Sequence, residues 1–226
     1  RDRSVSRGLG DVYKRQQLYM PYNSSIKQIT DYQILNGGFC LNPSLLEGKM
    51  GIALFFFFQA RYTHNNWYED FAGELLDDIC DNLHIGLPIT FADGLCGIGW
   101  GIELMKRLNF IEGDTDDILC DIDRKIMERD VRRMSDMTFE YGLEGIAIYV
   151  RSRIDSVRTI KNNQPFDSSY LKELEEACQR NNILLYSMQY NTDSTWNRIL
   201  DLLATHPFSK EKSWKRGLVK LRTIYE

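Results

Sequence analysis

The stretch FADGLCGIGWGIELM, residues 91–105, combines four glycines with an apolar run that is typical of a helix. The glycines are Gly94, Gly97, Gly99 and Gly101. A glycine in a helix interior is about 1 kcal/mol less favourable than an alanine, so this composition needs a physical reason. Three reasons are open at this point: backbone amides that hold a phosphate, a metal thiolate at Cys96, or close packing of two backbones.

The same motif occurs three times along the chain. GKMGIALFF begins at Gly48, GLCGIGWGI at Gly94 and GLEGIAIYV at Gly142, and all three fit Gly-x-x-Gly-Ile-(Ala/Gly). The first glycines are 46 and then 48 residues apart. Even spacing of this kind indicates a repeat architecture, in which each copy is one supersecondary unit.

Two kinds of helix alternate within this period. The segments that follow the glycines, at 50–58, 98–105 and 146–150, are almost free of charge, which is typical of helices buried on all sides. The segments between them carry an apolar stripe at helical spacing and acidic residues elsewhere, which predicts half-exposed helices. The stripes contain Trp67, Phe71, Leu75, Ile79 and Leu83 in the first segment, Ile118, Leu119, Ile122, Ile126 and Met127 in the second, and Leu171, Leu174 and Ala177 or Cys178 in the third.

One buried and one half-exposed helix per repeat of about 47 residues predict an all-α fold, an incomplete α/α toroid of alternating inner and outer helices. No segment shows a convincing strand pattern. Two more helices are predicted near 194–204 and 212–225, divided by Pro207. Gly217-Leu218 resembles a decayed fourth copy that lacks the second glycine.

The domain organisation follows from these copies. The first 16 residues differ from the rest of the chain, and we expect them to be a non-native or disordered leader. Residues 17–226 are predicted to form a single domain. The repeats are clear over 42–153 and degenerate over 154–226.

Composition excludes several classes of protein. The chain of 226 residues is 43% hydrophobic and 27% charged, as is usual for a globular protein with a core. A net charge of −4 provides no basic surface for nucleic acid. Five widely spaced cysteines without a CxxC pair favour a reducing compartment over a disulfide framework. The longest apolar run, residues 50–60, is too short to span a bilayer, so we expect no membrane partner.

At the glycine motifs the sequence resembles the lanthionine synthetase C-like (LanC-like) family, whose inner helices begin with Gly-Leu-x-Gly-x-x-Gly. GLCGIGWG and GLEGIA match this pattern, and LLEGKMGIALFFF is similar to an early repeat of the family. The resemblance covers about residues 42–153. It implies an α/α toroid, which in a complete member has about seven helix pairs.

The resemblance also implies a chemistry. Catalytic members of the family are zinc enzymes that add a cysteine thiol of a precursor peptide to a dehydrated serine or threonine, which closes a thioether ring. Their zinc is held by two cysteines and one histidine, in Trp-Cys-x-Gly and Cys-His-Gly motifs. Zinc lowers the pKa of the substrate thiol, and an open fourth position admits it.

This chain departs from the zinc pattern. It has no Trp-Cys, Cys-His or His-Gly pair, and its histidines are His64, His84 and His206. We therefore assign no catalytic, cofactor-binding or metal-binding residue and expect no cofactor in this chain. Zinc is expected only if the chain is a fragment of a longer family member.

Each residue that could take part in chemistry has both a structural and a functional interpretation. Cys96 stands at a helix start, where a dipole favours a reactive thiolate, but Met50 and Glu144 occupy its place in the other copies, which favours a structural role. Cys80 and His84 share a helix face without a second ligand pair. The glycines lack the Lys and Ser/Thr of a phosphate loop.

Carboxylates are the remaining candidates for chemistry. Asp93, Glu103 and Glu144 lie at or near inner-helix starts, where paired carboxylates would suit glycoside hydrolysis and single ones complement the helix dipole. The Phe55–Phe58 run is expected to pack in the core.

The functional expectation follows from the resemblance. We expect a LanC-like protein of the bacterial cytoplasm, associated with maturation or binding of a ribosomally made peptide as in lantibiotic biosynthesis, without cyclase activity in this chain. Expected partners are a precursor peptide or a peptide-modification enzyme, together with self-association through exposed repeat edges. The alternative is a carbohydrate-active α/α-toroid hydrolase or epimerase that uses cavity carboxylates.

Overall fold

The computed structural model describes residues 24–156, 164–183, 192–205 and 212–225. These residues form nine α-helices and two short 3₁₀-helices, with no strand among them, so the predicted all-α class is confirmed. The α-helices are α1 Ser24–Asn36, α2 Lys49–Thr63, α3 Asn66–Asp81, α4 Leu95–Arg107, α5 Asp116–Met127, α6 Leu143–Asp155, α7 Ser168–Arg180, α8 Thr192–Thr205 and α9 Trp214–Tyr225. The 3₁₀-helices are Gly37–Phe39 and Val131–Arg133. The expected leader at 1–16, the boundary at residue 17 and Pro207 lie outside the described residues.

The first glycine of each motif is the residue immediately before α2, α4 or α6. Gly48, Gly94 and Gly142 adopt nearly the same extended backbone, with φ of −140°, −138° and −113° and ψ of −161°, −162° and −163°. Any residue adopts such angles, so space rather than conformation excludes a side chain. A Cβ atom would lie 2.3 Å from the Asn42 carbonyl oxygen at Gly48 and 2.1 Å from that of Pro88 at Gly94.

A repeated hydrogen bond closes each of these turns. The first amide of each of these three helices, which has no partner within the helix, donates to a carbonyl seven residues earlier. The pairs are Lys49 to Asn42 at 2.7 Å, Leu95 to Pro88 at 2.8 Å, and Leu143 to Asp136 at 3.0 Å. The helix starts therefore form a common structural motif that satisfies its own backbone.

The second glycine of each motif packs against its own turn and, in two repeats, against the preceding repeat. A Cβ atom at Gly97 would lie 1.9 Å from the Phe91 carbonyl oxygen and 3.1 Å from Leu45 Cβ. At Gly145 it would lie 2.8 Å from Phe91 Cβ. Leu45 and Phe91 occupy the same place in successive repeats, so the glycines allow one repeat to approach the next.

The two extra glycines of the second motif make room for side chains of α6 and α2. A Cβ atom at Gly99 would lie 2.4 Å from the ring of Tyr149 in α6. One at Gly101 would lie 2.9 Å from the Met50 side chain in α2. Close packing therefore accounts for all four glycines, against backbone at Gly94 and Gly97 and against side chains at Gly99 and Gly101.

Burial confirms the two kinds of helix. Every residue from Leu95 to Met105 in α4 is buried, as is the run from Lys49 to Phe57 in α2. In α3 only one face is buried, formed by Ala72, Leu75, Leu76 and Ile79. Trp67 and Ile118 are 49% and 37% exposed although they lie on the predicted stripes, because each stands in the first turn of its helix, at the margin of the core.

The C-terminal helices pack back onto the repeats. α9 lies beside α2, where a Cβ atom at Gly51 would meet the Trp214 ring at 2.0 Å. Gly217 lies inside α9 rather than before it, so its position differs from that of the motif glycines, but it too allows close packing, here against Phe55. No described helix is both long and apolar enough to cross a membrane.

The helix α8 contacts α2, α4 and α6. The Trp196 ring stacks on Phe58 of α2 and on Trp100 of α4, with ring centres 5.1 Å and 6.4 Å apart. Arg198 binds Glu144 at the start of α6 through two hydrogen bonds of 2.6 Å and 2.9 Å. Helix α8 therefore lies across the glycine-initiated helices.

Candidate functional site

A buried guanidinium joins the second repeat to the third. Arg153, in the last turns of α6, is 1% exposed. Its Nη2 lies 2.7 Å from Asp123 Oδ2, and its Nε lies 3.1 Å from the same oxygen. Its Nη1 donates to Glu103 Oε1 at 2.5 Å and Nη2 donates to Asp116 Oδ1 at 2.9 Å. Planar Arg is suited to such multidentate contacts.

The local sequence explains why these side chains meet. Asp123 follows Leu119 by four residues and precedes Ile126 by three, so it lies on the apolar face of α5 and points into the core. Glu103 lies in the wholly buried part of α4. A carboxylate so placed is costly unless it is paired and hydrogen-bonded, and Arg153 provides both conditions.

Tyr149 completes the cluster. Its hydroxyl, one turn before Arg153 on α6, donates to Asp123 Oδ1 at 2.6 Å. Burial raises the pKa of this phenol well above its ordinary value, and the charge of Asp123 adds to the effect. Tyr149 is thus a hydrogen-bond donor throughout the physiological pH range.

The charge on Arg153 is secured by its neighbours. Burial alone would lower the pKa of the guanidinium, but the hydrogen bond to Asp123 and the nearby charges of Asp123 and Glu103 raise it above its ordinary value. Among the residues that the structure describes, no group of three or more His, Cys, Asp or Glu side chains is placed to hold a metal ion.

A cavity of about 430 Å³ adjoins the cluster. It lies between the C-terminal halves of α4 and α6, and Glu103 and Thr115 belong both to its lining and to the buried hydrogen-bond network. The other lining residues are Trp100, Leu104, Lys106, Arg107, Asn109, Ser152, Asp155 and Ser156. A volume of this size accommodates a small ligand or a side chain with part of its backbone.

Cys96 has the surroundings of a packing residue. The side chain is fully buried, and burial raises the pKa of its thiol well above its ordinary value, with the charge of Asp123 adding to the effect. A thiol nucleophile needs access and a lowered pKa, and Cys96 has neither.

Cys80 and His84 do not lie together on one helical face. Helix α3 ends at Asp81, so Cys80 is helical and His84 falls in the following turn. The spacing of four residues therefore has no helical geometry behind it. Burial raises the pKa of the Cys80 thiol, and the charges of Asp77 and Asp81 act in the same direction.

The three candidate carboxylates are engaged separately. Glu103 binds Arg153, Glu144 binds Arg198, and Asp93 accepts a hydrogen bond from the Thr90 hydroxyl. A hydrolytic pair needs two carboxyl groups facing one substrate, whereas each of these has a different protein partner. Packing and pairing therefore account for these residues.

Sequence reasoning missed Arg153, Asp123, Asp116 and Tyr149. A signal was present in each helix: Asp123 interrupts an apolar stripe, and Arg153 follows an uncharged inner-helix segment by three residues. Two charges of opposite sign at otherwise buried positions predict a buried pair, although their partner choice depends on tertiary packing.

Comparisons with protein-family models, with curated proteins and with solved structures found no match for this chain.

Proposed function

We propose that the protein is a lanthionine synthetase C-like protein that binds a ribosomally made peptide and does not itself carry out zinc-dependent cyclisation. The observation that carries the proposal is the threefold Gly-x-x-Gly turn, in which three helix starts share one backbone conformation and one hydrogen bond. These are the positions at which the sequence resembles the inner-helix starts of that family.

The proposal includes an α/α toroid arrangement. In it α2, α4 and α6 are inner helices and α3, α5 and α7 are outer helices. Support comes from the burial of α2 and α4 and from the contacts of α2 with α4 and of α4 with α6. The cavity between α4 and α6 is the proposed place for part of the peptide.

The proposed setting is the bacterial cytoplasm, with lantibiotic-type peptides as the substrate class. All five cysteines lie in described parts of the chain and all are free thiols. Free cysteines are typical of a reducing compartment.

Peptide binding can be tested by selection from a display library of random linear peptides, with the purified chain immobilised. The proposal predicts that enriched peptides bind in solution with micromolar or tighter dissociation constants, measured by calorimetry. The variant Ser152→Trp fills the cavity and should weaken binding, whereas Asp70→Asn on the exposed face of α3 should not. Absence of any peptide enriched above a bare support would contradict the proposal.

The proposed absence of cyclase activity is tested by a separate assay. A peptide with one dehydroalanine and one cysteine is incubated with the chain and zinc, and any remaining cysteine thiol is then alkylated. Mass spectrometry measures the mass of the peptide and so shows whether the thiol was alkylated. Cyclisation adds S–H across the double bond and removes the alkylatable thiol. We predict that the thiol survives as in the blank, and its consumption would overturn this part.

Self-association is part of the proposal as well. Leu35, Phe39 and Leu41 are 71%, 83% and 93% exposed and lie within seven residues of one another. Clustered exposed apolar side chains are typical of interaction surfaces. Light scattering should give a mass that rises with concentration, and the triple change of these residues to Ser should abolish the rise. A monomeric mass at all concentrations would contradict it.

A further inference from the structure

The lining of the cavity between α4 and α6 is rich in hydrogen-bond acceptors. The Ser152 hydroxyl donates to the Tyr149 carbonyl at 2.7 Å, and the Ser156 hydroxyl donates to the Arg153 carbonyl at 2.9 Å. The Thr115 hydroxyl donates to Glu103 Oε1 at 3.3 Å. A hydroxyl has a single proton, so each of these three groups has only lone pairs left for a ligand.

Two carboxylates add to this acceptor character. Glu103, buried at the Arg153 cluster, and Asp155, which forms an ion pair with Arg151 at 2.9 Å near the end of α6, both line the cavity. An ionised carboxylate accepts hydrogen bonds and donates none. Glu103 shares the Arg153 guanidinium with Asp116 and Asp123, so a ligand that donates hydrogen bonds and carries a positive charge fits this interior.

The C-terminal ends of α4 and α6 also favour a positively charged ligand. Helix α4 ends at Arg107 and α6 ends at Asp155, and residues from the last turn of each line the cavity. The C-terminal end of a helix carries a partial negative charge because its last carbonyls lack partners within the helix. Two such ends favour a cation between them.

The apolar part of the lining specifies the rest of the ligand. Trp100 and Leu104, which are 1% and 4% exposed, present only a small part of their surface to the cavity. Apolar surface beside a charged group suits the hydrocarbon stem of a long cationic side chain.

Two basic residues also line the cavity, and they favour a peptide ligand over a free cation. Arg107 is exposed and Lys106 is half-buried, so their charged ends can remain near the mouth in contact with water. They offer hydrogen-bond donors to carbonyl oxygens, which a free cation lacks. A peptide has both features, because a basic side chain is flanked by backbone carbonyls.

We propose that this cavity is a subsite for the ammonium- or guanidinium-bearing side chain of a peptide, with its charge among Thr115, Ser152, Ser156 and the two carboxylates. Lys106 and Arg107 then contact the backbone carbonyls of the same peptide. The inference rests on the proposed peptide-binding function and names its specificity.

The test uses the full chain and capped tripeptides Ac-Ala-X-Ala-NH2, with X as Lys, Arg, Gln or norleucine. Affinities are measured by titration calorimetry at low salt. The Lys and Arg peptides should bind at least about tenfold more tightly than the Gln and norleucine peptides, since a charge-assisted hydrogen bond adds roughly this factor. Equal binding of all four peptides, or no binding of any, would overturn the subsite.

Variants locate the effect. Asp155→Asn should reduce the affinity for the Lys peptide about fivefold to tenfold without changing that of the norleucine peptide, because it removes one negative charge from the lining and the carboxylate that pairs with Arg151. Asp70→Asn on the exposed face of α3 is the matched control and should leave both affinities unchanged. A Lys preference that survives Asp155→Asn and Ser152→Ala together would overturn the assignment to this cavity.

A further probe separates the subsite from the proposed function. If n-butylammonium binds as tightly as the Lys peptide and competes with it, the backbone contacts and the peptide role fail together, while a cation site remains. If library peptides bind without a basic residue and without sensitivity to Asp155→Asn, the subsite fails while peptide binding stands.

Discussion

The Leu46 amide donates to the Ala92 carbonyl oxygen at 3.0 Å, and this hydrogen bond joins the turn before the first glycine pair to the turn before the second. The Ala92 amide in turn donates to the Glu140 carbonyl at 2.9 Å, in the turn of the third repeat. The two hydrogen bonds join equivalent positions of successive repeats, because Leu46, Ala92 and Glu140 each stand two residues before the first glycine of a motif. The repeats are thus joined through their turns as well as through helix packing.

Hydrogen exchange should report this connection. The Leu46 and Ala92 amides lie in turns, where exchange is ordinarily fast, yet their bonds to the next repeat should slow them at least about tenfold relative to the Glu140 amide. Glu140 is the equivalent residue of the third repeat, and no acceptor for its amide is found in the described structure. Residue-resolved exchange by NMR measures the difference, and equal rates would contradict the connection.

Loss of the buried guanidinium should be severe. Arg153→Met leaves Glu103 and Asp123 in the core without this cation, and removing one partner of a buried pair costs about 3–5 kcal/mol. Denaturant unfolding measures the free energy. The control Arg124→Met removes an exposed partner of Asp121 and should change stability by less than about 0.5 kcal/mol. Similar effects of the two changes would count against the structural importance of the cluster.

Thiol labelling should distinguish the cysteines. Cys120 is exposed and Cys96 and Cys178 are fully buried, and burial raises the pKa of the Cys178 thiol to about 12. We expect a maleimide to label Cys120 rapidly in the native protein and the two buried thiols only on unfolding. Peptide mapping identifies the sites, with Cys120→Ser as control. Rapid native labelling of Cys96 would show that it is accessible.

The buried Cys96 thiol should weaken stability at alkaline pH. Its folded pKa lies well above the value of 9.0 that applies to an ordinary thiol, so the unfolded chain loses its proton first. The stability that the neutral thiol contributes is complete below about pH 9 and falls above it, by up to about 1.4 kcal/mol per pH unit.

Cys96→Ala removes this dependence. Its unfolding free energy should lie below that of the wild type at pH 7.5, because a packed side chain is lost, and the gap should close between pH 9 and 10.5. Cys120→Ala is the control, since that thiol is exposed in the folded protein. A gap that is constant with pH would contradict the buried-thiol assignment.

The repeat could be predicted from sequence because glycine spacing and apolar periodicity are local signals. They located α3 and α7 closely, at Asn66–Asp81 and Ser168–Arg180. They did not reveal α1, whose apolar pattern is weak and whose Gln33 is fixed by a distant contact, a hydrogen bond from its side chain to the Lys212 carbonyl. The Arg153 cluster escaped prediction for the same reason, since it joins residues of three helices up to 50 positions apart.

The central structural claim is that the glycine pairs are close packing contacts, with their own turns and with the neighbouring repeat. Gly97 and Gly73 both lie within helices, but a Cβ atom at Gly97 would lie 1.9 Å from the Phe91 carbonyl oxygen, whereas one at Gly73 would meet nothing within 4 Å. The direct measurement is the unfolding free energy of Gly97→Ala and Gly73→Ala. We predict a loss of more than about 3 kcal/mol for the first, because a packed backbone must move, and a gain of about 0.5–1 kcal/mol for the second. An equal gain for both would contradict the account.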